Sequence, residues 1–396
     1  MIPRQATQTL LRLAKGFPVV VLTGPRQSGK TTLAKSVFAN KTYVSLENID
    51  EREFAEQDPK RFLQRFADGA ILDEVQRCPS LLSYLQGVVD ERKIMGDFIL
   101  TGSAQLDLIS GITQSLAGRV GRLELLPLSQ AELSLANHLP NTLDEMLYMG
   151  SYPALYDREI SPNDWFANYV STYLERDVRQ LIAVRDLTQF QRFVKMCAAR
   201  SGQLLNLAAL GADCGISAVT AREWLSVLET SYLVIRLMPY HNNFGKRLVK
   251  TPKLYFLDVG LMAWLLGIHQ AKTIETHTIR GALFETYIVS ELVKQRYNSG
   301  LANDLYFWRD NVGLEVDVLY ETQQGLQAVE IKSGSTFASD WPNAANKWRS
   351  FAAEPAFPTT TTTTTATIVY GGNESYERES CKMLSWKELA ILTRRE

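Results

Sequence analysis

Two glycines five residues apart, followed at once by a lysine and two threonines, carry the most specific chemistry in this chain: Gly24-Pro25-Arg26-Gln27-Ser28-Gly29-Lys30-Thr31-Thr32. Backbone N–H groups at a glycine-rich turn hold a chain of phosphates, and a helix starting there points its positive end at them. Lys30 can reach the β- and γ-phosphates, and the Thr31 hydroxyl can ligate Mg2+. The flanks agree. Pro18–Leu22 is an apolar run suited to a buried strand, and Thr31–Ala34 begins a helix. The pattern predicts binding of ATP with Mg2+.

Gly69-Ala70-Ile71-Leu72-Asp73-Glu74 supplies a partner for that loop. Its small and apolar residues make a central strand, with Asp73 at the C-terminal end meeting Mg2+ through water. Glu74 is then placed to orient or deprotonate the attacking water. A third run, Asp97-Phe98-Ile99-Leu100, ends in Thr101-Gly102-Ser103. A hydroxyl there lies between the other two strands, so Ser103 is a candidate γ-phosphate sensor. Arg119 and Arg122 follow, and either is a candidate finger for a neighbouring copy, which would imply a homo-oligomer.

A second constellation lies near the C-terminus. Leu314–Leu319 and Gln327–Lys332 read as strands joined at Gln323-Gln324-Gly325. Alternation puts Val316 and Val318 on one face, with Val329 and Ile331 free to join them, and lets Asp317, Glu330 and Lys332 converge on the other. Two carboxylates beside a lysine can hold a metal and activate water. Glu285, beside the apolar stripe Phe284, Ile288 and Leu292, could complete the metal's shell.

The elements that must position these residues follow from the apolar runs. Phe17–Thr23, Tyr43–Leu46, Ala70–Asp73 and Phe98–Thr101 alternate with helix-compatible stretches, which predicts a parallel α/β sheet over 1–135. Residues 136–199 read as helical, with a charge set Glu175, Arg176, Asp177 and Arg179. Over 200–257 a helix-turn-helix is expected: one helix ends near Leu210–Ala212, Gly215 turns, and Thr220–Glu223 forms a capping box. Tyr232–Leu237 and Lys253–Leu257 read as strands around a polar loop, together resembling a winged-helix module. Residues 258–396 return to mixed α and β. The run Thr359–Thr365 reads as a solvated loop without chemistry.

Composition limits the partners. The chain has 396 residues, too many for one ordinary core, and its 45% hydrophobic and 21% charged residues fit a globular protein. Net charge is −1, so no global field draws it to nucleic acid. DNA contact must come from a local patch, and His241, Lys246, Arg247, Lys250 and Lys253 around Tyr240, Asn242 and Asn243 provide one. The helix that would enter a groove offers Thr220, Arg222, Glu223 and Ser226, which is weakly basic. Four scattered cysteines, with no zinc spacing to the four histidines, suggest a reduced compartment without a structural metal. No apolar run reaches the length of a membrane span, and the N-terminus reads as a mixed helix, so the cytoplasm is the expected location.

The runs Leu22–Thr32, Ile71–Gln76, Ile99–Ser103 and Leu116–Arg119 resemble the prokaryotic AAA-type P-loop ATPases known as AAA_14. Tyr173–Val178, Lys250–Phe256 and Gly281–Glu285 are similar to the DUF4143 domain that usually follows in those proteins. The resemblance implies ATP binding and an additional-strand, AAA-like sheet. The Glu285, Asp317, Glu330 and Lys332 set resembles the PD-(D/E)xK fold of restriction endonucleases and archaeal Holliday-junction enzymes. That implies a restriction-endonuclease-like α/β C-terminal domain. Two functions stay open: an ATP-driven switch or motor on DNA with a nuclease-like domain, or a regulatory ATPase whose C-terminal domain binds a protein.

Overall fold

The computed structural model describes residues 2–103, 116–174, 187–240, 249–322, 325–352, 366–379 and 381–393. Five parallel strands form the first sheet: β1 (Val19–Thr23), β2 (Thr42–Ser45), β3 (Ala70–Asp73), β4 (Phe98–Thr101) and β5 (Val120–Glu124). Their order is β2-β3-β4-β1-β5, so β4 lies between the loop strand and the Asp73 strand, as expected. Every residue of β1, β3 and β4 is buried. Alternate side chains enter two different cores, Val19 and Val21 in one, Val20 and Leu22 in the other. Helices therefore cover both faces, which is why these strands read as unbroken apolar runs. The edge strand β5 was not anticipated, because Val-Gly-Arg-Leu-Glu buries only alternate residues well.

The second sheet has eight strands: β6 (Val234–Pro239), β7 (Lys253–Phe256), β8 (Tyr306–Arg309), β9 (Glu315–Thr322), β10 (Gly325–Lys332), β11 (Thr367–Tyr370), β12 (Tyr376–Arg378) and β13 (Cys381–Ser385). The order is β12-β13-β11-β10-β9-β8-β6-β7. β8, β9 and β10 form an antiparallel meander, the helix Asn343–Ala352 follows, and β11 returns parallel to β10. The helix Arg280–Asn298 precedes the meander and packs on one face with Val318, Val329 and Ile331. The opposite face holds Val316, Leu319, Ala328 and Trp348.

That division corrects the expected alternation. Val316 and Val318 lie on opposite faces, because the β8–β9 register shifts between the Tyr306 and Trp308 pairs. An extra residue in one strand turns the following side chains over.

In the middle of the chain the helix Leu207–Cys214 ends at Gly215, which takes the left-handed conformation (φ 71°). The next helix, Ala218–Thr230, is capped by Ser217, whose hydroxyl accepts from Thr220 N. The expected Thr220–Glu223 capping box is therefore corrected: the cap lies three residues earlier, and Thr220 is inside the helix. β6 and β7 follow as an antiparallel pair, and β6 continues into the C-terminal sheet through Met238 and Tyr306. One hydrophobic core runs from Leu126 to Leu389 without a break at 200 or 258. The charge set at 175–179, the loop 241–248 with its basic residues, the Gln323-Gln324 turn and the threonine run lie outside the described residues.

Both halves of the chain are bonded together. Thr9 Oγ1 donates to Asn298 O at 2.8 Å, and Gln130 N to Glu291 Oε2 at 2.7 Å. The buried Lys294 donates to Leu128 O at 3.1 Å and to Ser151 Oγ at 2.7 Å. No helix among the described residues is long and apolar enough to cross a membrane.

Candidate functional site

The glycine-rich loop joins β1 to the helix Lys30–Val37 at the C-terminal edge of the first sheet. Its glycines are required by geometry. A Cβ on Gly24 would lie 2.1 Å from Leu125 O, and Gly29 caps the helix with φ 94°. No side chain caps this helix, so its first N–H groups remain available to an anion. Lys30 is buried and its Nζ donates to Gly24 O at 3.0 Å and Pro25 O at 2.7 Å. The Ser28 hydroxyl is buried with no hydrogen-bond partner among the described residues. A buried hydroxyl left unpaired inside a loop of this shape fits a bound phosphate. Arg26 and Gln27 are half-buried, and Thr32 is exposed on the helix.

Asp73 ends β3 and faces the loop. Its Oδ1 accepts from Thr31 Oγ1 at 2.9 Å and also from Thr101 Oγ1, while Oδ2 accepts from Tyr43 OH at 2.8 Å. The pairing of Thr31 with Asp73 is the donor set a hard divalent cation uses beside a phosphate. Burial and the Asp73 carboxylate push the Tyr43 phenol up to about 12, so it stays a donor. Glu74 follows with left-handed backbone (φ 57°), which turns its side chain away from the strand. Gln76 Nε2 donates to Glu74 Oε2 and, at 3.1 Å, to Ser103 Oγ.

The three strand ends thus meet as the spacing predicted, with two adjustments. The hydroxyl that touches Asp73 is Thr101, the last residue of β4, whereas Ser103 bonds Gln76. Tyr43, Gln76 and Thr101 were missed as site residues. Gln76 and Thr101 lie inside the motif runs, but only the tertiary fold shows which way they point.

The two arginines are not brought to this loop. Arg119 precedes β5 at the opposite end of the sheet, with its carbonyl accepting from Val19 N at 3.2 Å. A strand of five residues separates it from Gly24, about 16 Å. Its guanidinium bonds Asp90 Oδ2 at 2.8 Å. Arg122 is mid-strand on β5, opposite Val21, and its side chain is 43% exposed 3.4 Å from Glu124.

The C-terminal constellation is also assembled, with a different membership. Carboxylate oxygens of Glu285, Glu315 and Asp317 lie within 4.8 Å of one another. Glu315 was missed, although strand alternation places it on the same face as Asp317 two residues on. Lys253 enters this group from β7. It is 3% exposed, donates to Glu285 at 3.0 Å, and also pairs with Glu315. Burial would lower its ammonium, but Glu285, Asp317 and Glu315 outweigh that and hold it well above the usual lysine range. Lys253 is therefore not part of an exposed basic patch, as the sequence suggested. The described remainder of that patch is the exposed Lys250 and the half-buried Tyr240.

Glu330 lies beside this group, nearly fully buried, with Oε2 3.0 Å from Lys332 Nζ and Oε1 unbonded among the described residues. Burial, then the Asp317 charge, pushes Glu330 up to about 8. Burial and Glu285 likewise push Asp317 up to about 6, although its Oδ2 accepts from Ile331 N at 2.8 Å.

Family models match three successive stretches of the chain. Residues 16–134 match the family described as an AAA domain (AAA_14). Residues 140–272 match a domain of unknown function (DUF8612) and 280–389 match another (DUF4143), so Tyr173–Val178 and Lys250–Phe256, likened above to DUF4143, fall in DUF8612 instead. Uncharacterized proteins of Mycobacterium tuberculosis (Rv2008c) and Mycobacterium bovis (Mb2031c) are 32% identical over 338 residues, 84% of this chain and 74% of each of theirs. The chain belongs to their family. It is an AAA-domain protein with a P-loop ATPase domain followed by a DUF4143 domain. Among solved structures, the Walker-type ATPase PABY2304 of Pyrococcus abyssi is 14% identical, with TM-score 0.46, covering 67% of this chain and 96% of that one. A point variant of RuvB from Thermotoga maritima is 17% identical, with TM-score 0.31, covering 58% and 88%.

Proposed function

We propose that this AAA-domain protein is a Mg2+-dependent ATPase acting as a switch or motor on DNA, with a nuclease-like C-terminal domain. The carrying observation is the 2.9 Å bond from Thr31 to Asp73 at the mouth of the glycine-rich loop. Mg2+ bound between these two residues would neutralise charge on the β- and γ-phosphates. Lys30 supplies the loop's cation, and Glu74, held by Gln76, orients and deprotonates the attacking water. Lys30→Ala should weaken ATP binding about 100-fold, since a buried charge partner is lost. Glu74→Gln should retain ATP and lower turnover about 100-fold. Equal loss of binding in both variants counts against the role given to Glu74.

The nuclease-like reading is supported by the order helix, three-strand meander, helix, parallel strand around Asp317, Glu330 and Lys332. Three close carboxylates fit a hard divalent cation, which would polarise a phosphodiester held there. The basic residues that follow β6 in the sequence, together with the helix-turn-helix read as a winged-helix module, are the proposed DNA contact. The rival, a regulatory ATPase with a protein-binding C-terminal domain, gains from Lys253. Its ammonium already neutralises Glu285 and Glu315 in the group a metal would use. Incubating the protein with plasmid and single-stranded DNA, with and without Mg2+ and ATP, separates the two. Metal-dependent cleavage lost in Asp317→Asn supports the first reading; intact DNA under every condition supports the rival.

A further inference from the structure

Arg4 is the one side chain from outside the glycine-rich motif whose charge is applied directly to that loop's backbone among the described contacts. It is only 7% exposed. Its Nη1 donates to Ser28 O at 2.6 Å, Nη2 to Leu126 O at 2.7 Å, and Nε to Glu132 Oε1 at 3.0 Å. Glu132 is fully buried and also accepts from Gln5 N at 2.7 Å and Ser129 N at 2.8 Å. The guanidinium is therefore locked by three acceptors on three segments. It lies so close to the loop that a Cβ on Gly29 would be 3.3 Å from Nη1.

The Ser28 carbonyl and the Gly29 N–H belong to one trans peptide and point in opposite directions. A cation fixed on that carbonyl sets the plane of the peptide and aims Gly29 N–H to the other side. It also polarises the peptide, which strengthens the N–H as a donor. Ser28 and Gly29 directly precede Lys30, where a P-loop backbone cradles phosphates.

We propose that Arg4 is a positioning residue for nucleotide binding, holding the Ser28–Gly29 peptide in its phosphate-binding orientation from behind the loop. The ligand class is a nucleoside di- or triphosphate, and the inference rests on the nucleotide-binding reading above. The link through Leu126 and Glu132 fastens the loop to the start of the helix Gln130–Leu135, whose Gln130 N in turn donates to Glu291.

The test uses the full chain with MgADP and MgATP, titrated against wild type, Arg4→Met, Arg4→Lys and Lys30→Ala. Arg4→Met should raise Kd for both nucleotides by about tenfold or more, the worth of one charge-assisted hydrogen bond. The loss should fall on Kd and KM more than on kcat. Arg4→Lys keeps the charge without the planar fork and should fall between Arg4→Met and wild type. If Arg4→Met does not fold, Arg4→Lys carries the test, with a threefold or greater rise in Kd expected (about 0.7 kcal/mol). Variants that melt earlier yet bind both nucleotides as wild type overturn the inference, because Arg4 is then only a structural tie. Wild-type binding by Lys30→Ala would instead overturn the nucleotide site itself.

Discussion

Glu330 and Asp317 are buried carboxyls in a cluster where negative charges outnumber the lysines, and both hold their protons more tightly than usual, at about 8 and about 6. A carboxyl whose folded pKa is raised stabilises the fold below its unfolded pKa and loses that contribution as pH rises through the folded value. Without divalent metal, stability should therefore decline from about pH 4 to about pH 8. Glu330→Gln should flatten the upper part of that decline, since the amide keeps the shape without the charge. Mg2+ or Mn2+ at pH 8 should restore stability by mass action, about 2.7 kcal/mol at a hundred times Kd. Thermal melts across this pH range check the slope. An identical decline in Glu330→Gln assigns it to other groups, and an absent metal response favours Lys253 as the cluster's permanent cation.

The helix Ala218–Thr230 tests how an element is started. Ser217 Oγ accepts from Thr220 N at 3.0 Å, and its hydroxyl also contacts Thr220 Oγ1 at 2.9 Å. An unpaired N–H at a helix start is costly, so Ser217→Ala should destabilise this helix by about 1 kcal/mol. Thr220→Ala should cost less than half of that, about 0.3 kcal/mol, because it removes a second hydroxyl and not the cap. Amide exchange over the helix's first two turns reads the difference locally. A larger effect from Thr220→Ala would restore the cap expected from sequence. The local pattern favoured Thr220 because Glu223 follows it at capping-box spacing; Ser217 won because Gly215 ends the previous helix early enough to leave it at the boundary.

Across the whole molecule, the loop strand is tied to the middle of the chain. Thr23, the last residue of β1, shares a 3.0 Å hydrogen bond with Tyr232, which follows the helix Ala218–Thr230. Burial and the Glu124 carboxylate at the end of β5 push both the Tyr232 and the Tyr297 phenols up. Neither Arg119, at the opposite end of the sheet, nor Arg122, mid-strand beside Glu124, is bonded to the chain's own loop among the described contacts, so a role in hydrolysis is read for a second copy. If either acts in that way, ATPase rate per subunit should rise with protein concentration. Mixing Lys30→Ala with an Arg119→Ala, Arg122→Ala double variant should then recover about a quarter to a half of wild-type activity, because each supplies what the other lacks. A rate independent of concentration, with no recovery on mixing, assigns both arginines to Asp90 and Glu124 within one subunit.

The sequence by itself determined the glycine-rich loop, the Asp73 strand and the strand between them, because each is a short apolar run ending in residues whose chemistry is local. It also determined the helix-turn-helix boundary at Gly215 and the approach of Asp317, Glu330 and Lys332. What it left open depends on contacts distant in the chain. Arg4 reaches the loop across 24 residues, Tyr43 reaches Asp73 across 30, and Lys253 reaches Glu285 across 32. The register shift in β9 is set by its pairing with β8, and it decides which valines face the long helix. Periodicity records only which side of an element is apolar. The pairing of elements is a property of the packed whole, and it was the tertiary structure that placed a lysine among the carboxylates and an arginine behind the phosphate loop.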